Sequence, residues 1–198
     1  MRAFLIAFTL LAPGALAQEA PSACAYDMSA MMRLDLRVFD STPDSGWRVV
    51  GETPGCEAVA ADLIAAYRTQ RLERERLGLL HHEAQLRAAA GQTEAALVLL
   101  EEVRASETAP EMQAYRDATI AFLRRDRAAL IEARERLSRV PMPEAFAAGR
   151  ARFVAAFPTQ RNPEWPLNLD VVDGLVACFD RPYAEAYGRA CRPLPVTR

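Results

Sequence analysis

Apolar residues along much of this chain recur at helical spacing. Residues 28–39 read as a first helix, with Met28, Met31, Met32, Val38 and Phe39 near one face. Five glycines and prolines between Pro43 and Gly55 then make a loop around Trp47. Val59, Leu63 and Tyr67 predict a helix over 56–70, and Leu72, Leu79 and Leu86 a longer one over 72–90, ended by Gly91. Ala96, Leu100 and Val103 mark the next, over 93–105. Met112, Tyr115, Thr119 and Phe122 mark another over 111–124. Asp126 is placed to cap a helix that buries Leu130, Ala133 and Leu137, and Pro141 and Pro143 stop it. Phe146, Phe153 and Phe157 line a further helix that ends at Pro158. After a proline-broken loop around Trp165 come two short helices, 169–179 and 182–188. Asp180 stands ready to cap the second, with Pro182 in its first turn.

Part of this pattern repeats every 34 residues. Ala61, Ala95 and Ala129 fall in step, as do Leu63, Leu97 and Ile131. The second and third copies also agree at Ala84/Ala118, Leu86/Ile120 and Val103/Leu137. A period of this length makes one helix–turn–helix unit, whose apolar face is buried only by stacking on its neighbours.

The segment 77–103 resembles a tetratricopeptide repeat. Ala84 matches the small residue of the first helix, Gly91 the turn glycine, and Ala96 the small residue where the two helices cross. In the next copy, 111–137, Ala118 is in place, but Arg125 stands for the glycine and Leu130 for the second alanine. The earliest copy keeps only its second helix. The resemblance implies an all-α fold of antiparallel helix hairpins, α-solenoid-like, with a non-repeat C-terminal helical cap. It implies a protein or peptide partner on the concave side, which would carry His81 and Gln85. It implies no chemistry, because such arrays bind unrelated partners.

The N-terminus adds a compartment. Arg2, an apolar run over residues 3–12 and Ala15-Leu16-Ala17 have the form of a cleaved export signal, too short for a permanent span of about 20 residues. The expected organisation is therefore a signal peptide over 1–17, an N-terminal helix and loop over 18–56, the repeat region over 57–157 and a C-terminal loop and cap over 158–198. The location would be periplasmic or secreted. Lipidation at Cys24 is disfavoured by Pro21, which sits where that motif wants an aliphatic residue. Cys24, Cys56, Cys178 and Cys191, an even set in an exported chain, read as two disulfides. Of the three pairings, Cys24 with Cys56 and Cys178 with Cys191 closes the shortest loops. No C-x-x-C pair supports zinc instead.

Composition changes the picture little. The basic residues, all 24 of them arginine, meet 26 acidic ones for a net charge of −2, which gives no electrostatic case for nucleic acid. The arginine-for-lysine bias and the abundant alanine fit a GC-rich bacterial genome. Nothing in the sequence asks for a cofactor or a metal. The adjacent His81 and His82 point about 100° apart on a helix and cannot chelate one ion together. His82 falls on the apolar stripe between Leu79 and Leu86, as a half-buried, hydrogen-bonded residue would. Asp170 and Asp173 suit the first turn of a helix, and Arg124, Arg125 and Arg127 an exposed turn. Trp47 and Trp165 read as anchors of their loops, and Tyr183 and Tyr187 as packing for the last helix. No serine or cysteine nucleophile motif is present. The expectation is a non-catalytic, exported binding module, an adaptor or assembly factor of the bacterial cell envelope. The alternative is an exported enzyme whose catalytic groups meet only in three dimensions.

Overall fold

The computed structural model describes residues 22–70, 76–160 and 162–193. The export signal and the start of the helix expected from Leu72 lie outside the described residues. Among those described there is no strand, and no helix is long and apolar enough to cross a membrane. The helices are α1 (Met28–Arg33), α2 (Arg48–Gly51), α3 (Glu57–Gln70), α4 (Arg76–Ala89), α5 (Thr93–Ser106), α6 (Pro110–Leu123), α7 (Arg127–Ser138), α8 (Glu144–Ala156), α9 (Leu169–Ala177) and α10 (Tyr183–Tyr187). The architecture is all-α, with consecutive helices paired into hairpins that stack in a solenoid-like array.

The first helix is shorter than the apolar pattern suggests. It ends at Arg33 because Leu34 turns extended, where its carbonyl accepts the Tyr67 hydroxyl at 2.8 Å. The Asp35 carboxylate then takes the Val38 amide at 2.9 Å and opens a separate π-helical turn over Arg37–Ser41. That turn buries Phe39 flat on Tyr67, with ring centroids 3.7 Å apart. Gly46 is obligatory below it. Its φ is +56°, and a Cβ there would lie 1.9 Å from the Phe39 carbonyl oxygen. Trp47, Val50, Ala60, Ala61, Leu63 and Ile64 complete an N-terminal core, closed by the Cys24–Cys56 disulfide.

A second core runs from α4 to α10. The α4/α5 and α6/α7 hairpins turn in the same way 34 residues apart. At the first, Gly91 N–H bonds to Ala88 O and Gln92 N–H to Arg87 O. At the second, Arg125 N–H bonds to Phe122 O and Asp126 N–H to Ala121 O. Both are Schellman closures with a left-handed residue, φ +76° at Gly91 and +59° at Arg125. The backbone device therefore survives the loss of the glycine. Asp126 caps α7 through the Ala129 amide, as its position suggested.

The end of the chain does not extend the array; it folds back over it. Helix α9 packs on α6 and α7, and α10 reaches α4. The Cys178–Cys191 disulfide joins the two sides of this element, so both cysteine pairs are the sequence-local ones. Two expectations shift here. Asp180 does not cap α10: Pro182 occupies the cap position, and Asp180 lies exposed within 3.5 Å of Arg127. Helix α8 buries none of its residues: Phe146 meets the Trp165 ring at 4.9 Å, and Phe157 is 47% exposed. Its stripe meets the loop around Trp165, whose indole is fastened to the Val140 carbonyl at 2.9 Å.

Candidate functional site

The face formed by α4 and α6, where sequence reasoning expects a partner, is covered by the chain's own C-terminal element. The Gln85 amide of α4 donates to the Tyr115 hydroxyl of α6 at 3.0 Å and to the Tyr187 hydroxyl of α10 at 3.2 Å. Tyr183 packs edge-on to Phe122, and Phe179 does the same. Arg125 closes the cover from the hairpin turn by donating to the Phe179 carbonyl at 2.6 Å. Arg134 holds Asp173 at 2.7 Å and Arg192 holds Asp170 at 3.3 Å, so those two carboxylates serve separate ion pairs. Arg124 pairs with Glu101, and Arg127 lies over the Phe179 ring. None of the three turn arginines is left as a free anion site.

His81 and Gln85 are therefore placed differently from one another. His81 is 9% exposed and sits edge-on to Tyr115, with its Nδ1 lacking any hydrogen-bond partner. Burial, then the nearby Arg116 and His82, push its pKa down to about 3, against a smaller opposing pull from Asp40. It is a neutral core histidine. Gln85 is half-buried and lines a cleft of about 390 Å³ at the edge of the C-terminal cover. Trp47 and Glu52 at the two ends of α2, Arg48 of α2, Glu57 of α3, His82 and Leu86 of α4, and Tyr183 and Tyr187 of α10 share it.

His82 is half-buried and hydrogen-bonded, as its place on the apolar stripe suggested. Its Nδ1 lies 2.7 Å from Asp40, and the Trp47 indole donates to the same carboxylate oxygen at 3.0 Å. Burial alone would raise the Asp40 pKa. The His82 and Trp47 hydrogen bonds, with the charges of His82 and Arg48, outweigh it and hold the carboxyl below its ordinary value. The arrangement is an Asp–His pair whose imidazole borders a cleft. Sequence reading could not find it, because the two residues are 42 apart and lie on separate elements, a π-helical turn and α4. Tyr115 and Tyr183 stay protonated, since burial and neighbouring tyrosines raise their pKa values. Their hydroxyls are neutral hydrogen-bonding groups and not latent bases.

A second depression, about 560 Å³, crosses α5, α6 and α7. Most of its charges are already spent on one another. Arg104 and Arg136 both hold Asp117, at 2.6 and 3.0 Å, and Arg124 holds Glu101. A ligand would have to break these pairs to gain new ones, so the aromatic-walled cleft is the better site. Among the described residues no group of three histidines, cysteines or acids could hold a metal ion.

Comparison with family models, with curated proteins and with solved structures finds no match for this chain. The case for what it does rests on its own residues.

Proposed function

We propose that this is an exported, non-catalytic binding module, tetratricopeptide-like in its repeat unit, that serves as an adaptor or assembly factor in the bacterial cell envelope. The observation that carries this reading is the cleft between the Trp47 loop and α10. It opens where the cover over α4 and α6 ends, and apolar, aromatic and polar groups converge in it. The two disulfides favour an oxidising, extracytoplasmic compartment. A protein or peptide segment is the natural occupant, because the cleft is open at the surface and lies beside exposed Val49 and Ala184.

The test is photo-cross-linking in the native host, with the reactive group at position 184 and mass spectrometry of what is captured. The reading expects one dominant partner, lost when Glu52→Arg or Gln85→Ala alters the cleft. No reproducible partner, or capture indifferent to both substitutions, would overturn it. One observation favours a second reading, an exported enzyme: Asp40 orients His82 beside the cleft as a general base is oriented. Against it, the residues lining the cleft include no serine, threonine or cysteine to be activated. Water would have to be the nucleophile. Screening the protein with ester and amide substrates, with His82→Ala as the control, decides between the two.

A further inference from the structure

The cleft carries an unbalanced charge. Glu52 is exposed and has no cationic partner among the described residues. Glu57 is half-buried, and its carboxylate accepts only the Gly55 amide, at 3.3 Å. Arg48 is the cation that borders them, and it is already engaged. Its guanidinium donates to the Asp40 carbonyl at 2.9 Å and lies over the Trp47 ring, 4.3 Å from the centroid. His82 is likewise turned to Asp40. Two carboxylates are thus left facing a cleft whose fixed cations serve the wall behind it.

The walls suit a long aliphatic stem. Leu86, Ala89, Gly51 and Ala184 supply apolar surface, with the Tyr187 ring beside them. Lysine and arginine lay their methylenes on such surface while the charged head stays with polar groups. Tyr183 lines the same cleft, is 5% exposed and adds to this wall. Its hydroxyl is sealed beneath the cleft surface beside Gln85, whose amide donates to Tyr115 and Tyr187. The volume, about 390 Å³, lies at the small end of ligand pockets, enough for one side chain and not for a helix.

We propose that the cleft takes the lysine or arginine side chain of a partner segment, its stem against Leu86 and Tyr187 and its charge with the Glu52 and Glu57 carboxylates. This rests on the peptide-binding reading above and adds the chemistry of the segment. It also makes binding salt-sensitive, because Glu52 is exposed to solvent.

The experiment uses the disulfide-bonded protein labelled with nitrogen-15 and two short peptides that differ at one position, arginine in one and its neutral isostere citrulline in the other. The chain has two tryptophans, Trp47 on the cleft and Trp165 away from it, so the two indole N–H signals give a site and an internal reference. The arginine peptide should move the Trp47 signal and leave Trp165 in place. The citrulline peptide should bind about 10-fold more weakly, the size expected from losing two partly exposed ion pairs. The double change Glu52→Gln, Glu57→Gln should erase that difference. Both substitutions keep the shape, and the Trp165 signal checks that the fold is intact. Equal binding of the two peptides would overturn the charge rule and leave the cleft as a peptide site. An unmoved Trp47 signal with millimolar arginine peptide would overturn the inference outright. The cross-linking experiment would then judge the binding reading on its own.

Discussion

His81 makes stability depend on pH in a way that can be worked from the structure. The group is 9% exposed and its pKa falls from 6.5 to about 3 on folding. Between those values the unfolded chain binds a proton that the folded chain refuses, so stability rises with pH across that window and is lost as pH falls through it. Folding should weaken by about 2 kcal/mol between pH 7 and pH 5 from this residue alone, at about 1.4 kcal/mol per pH unit once below 6. The charges that face it are Arg116 on α6, His82 on its own helix and Asp40 beyond His82. All remain in a His81→Phe variant, which keeps an aromatic ring against Tyr115 and cannot titrate. Urea unfolding of both proteins at pH 5, 6, 7 and 8, followed by helical circular dichroism, isolates the term as a difference. The expected result is that His81→Phe gains about 2 kcal/mol relative to the parent on going from pH 7 to pH 5. Parallel stability curves would refute the reasoning, because they would mean that His81 is solvated or can be protonated in the folded state.

Other substitutions probe the frame around the cleft. Gly46→Ala puts a methyl against the Phe39 carbonyl at a positive φ, and should cost about 3 kcal/mol or more, read as a lowered thermal midpoint. Arg125→Gly should relax the left-handed turn by about 1 kcal/mol while releasing the Phe179 carbonyl. The expected signature is faster hydrogen exchange in α9 and α10 with unchanged exchange in α6 and α7. Replacing Cys178 and Cys191 together by serine removes a link across 13 residues, worth about 3 kcal/mol in unfolded-chain entropy. Its effect should concentrate in the C-terminal element and spare α3.

The hairpin frame was legible because it is written locally. Periodicity, proline and glycine placed the helices from α3 to α7 closely, and the 34-residue step reappears as the matched turns at Gly91 and Arg125. Arg125 shows the limit of reading by residue type: the absent glycine suggested a degraded unit, but arginine holds the same φ and uses its side chain to fasten the cover. What could not be read depends on contacts between distant segments. Tyr67 breaks the first helix from 33 residues away by taking the Leu34 carbonyl. The phenylalanine stripe of α8 has the spacing of a buried face, but spacing states only that a helix could bury that side, not that a partner helix exists. The cleft is assembled from the Trp47 loop, α3, α4 and α10, so no window of sequence contains it.

The C-terminal cover decides what kind of binder this array can be. An open stack of hairpins offers a broad concave surface and takes a long segment across several units. Here the same surface is filled by α9 and α10, held by a disulfide, by Arg125 on a carbonyl and by arginine–aspartate pairs at Asp170 and Asp173. Each fastening ties the cover to the frame or to itself at a different point, so displacing it means breaking several at once. A partner that binds at ordinary affinity, about 8 kcal/mol at micromolar Kd, has little to spare for that task. Recognition is therefore confined to the margin where the cover stops, and there the accessible groups are few: two carboxylates and a short apolar wall. A site of that size discriminates by the chemistry of one side chain more than by the length of a segment. For that reason a one-residue change in a probe peptide is the informative perturbation.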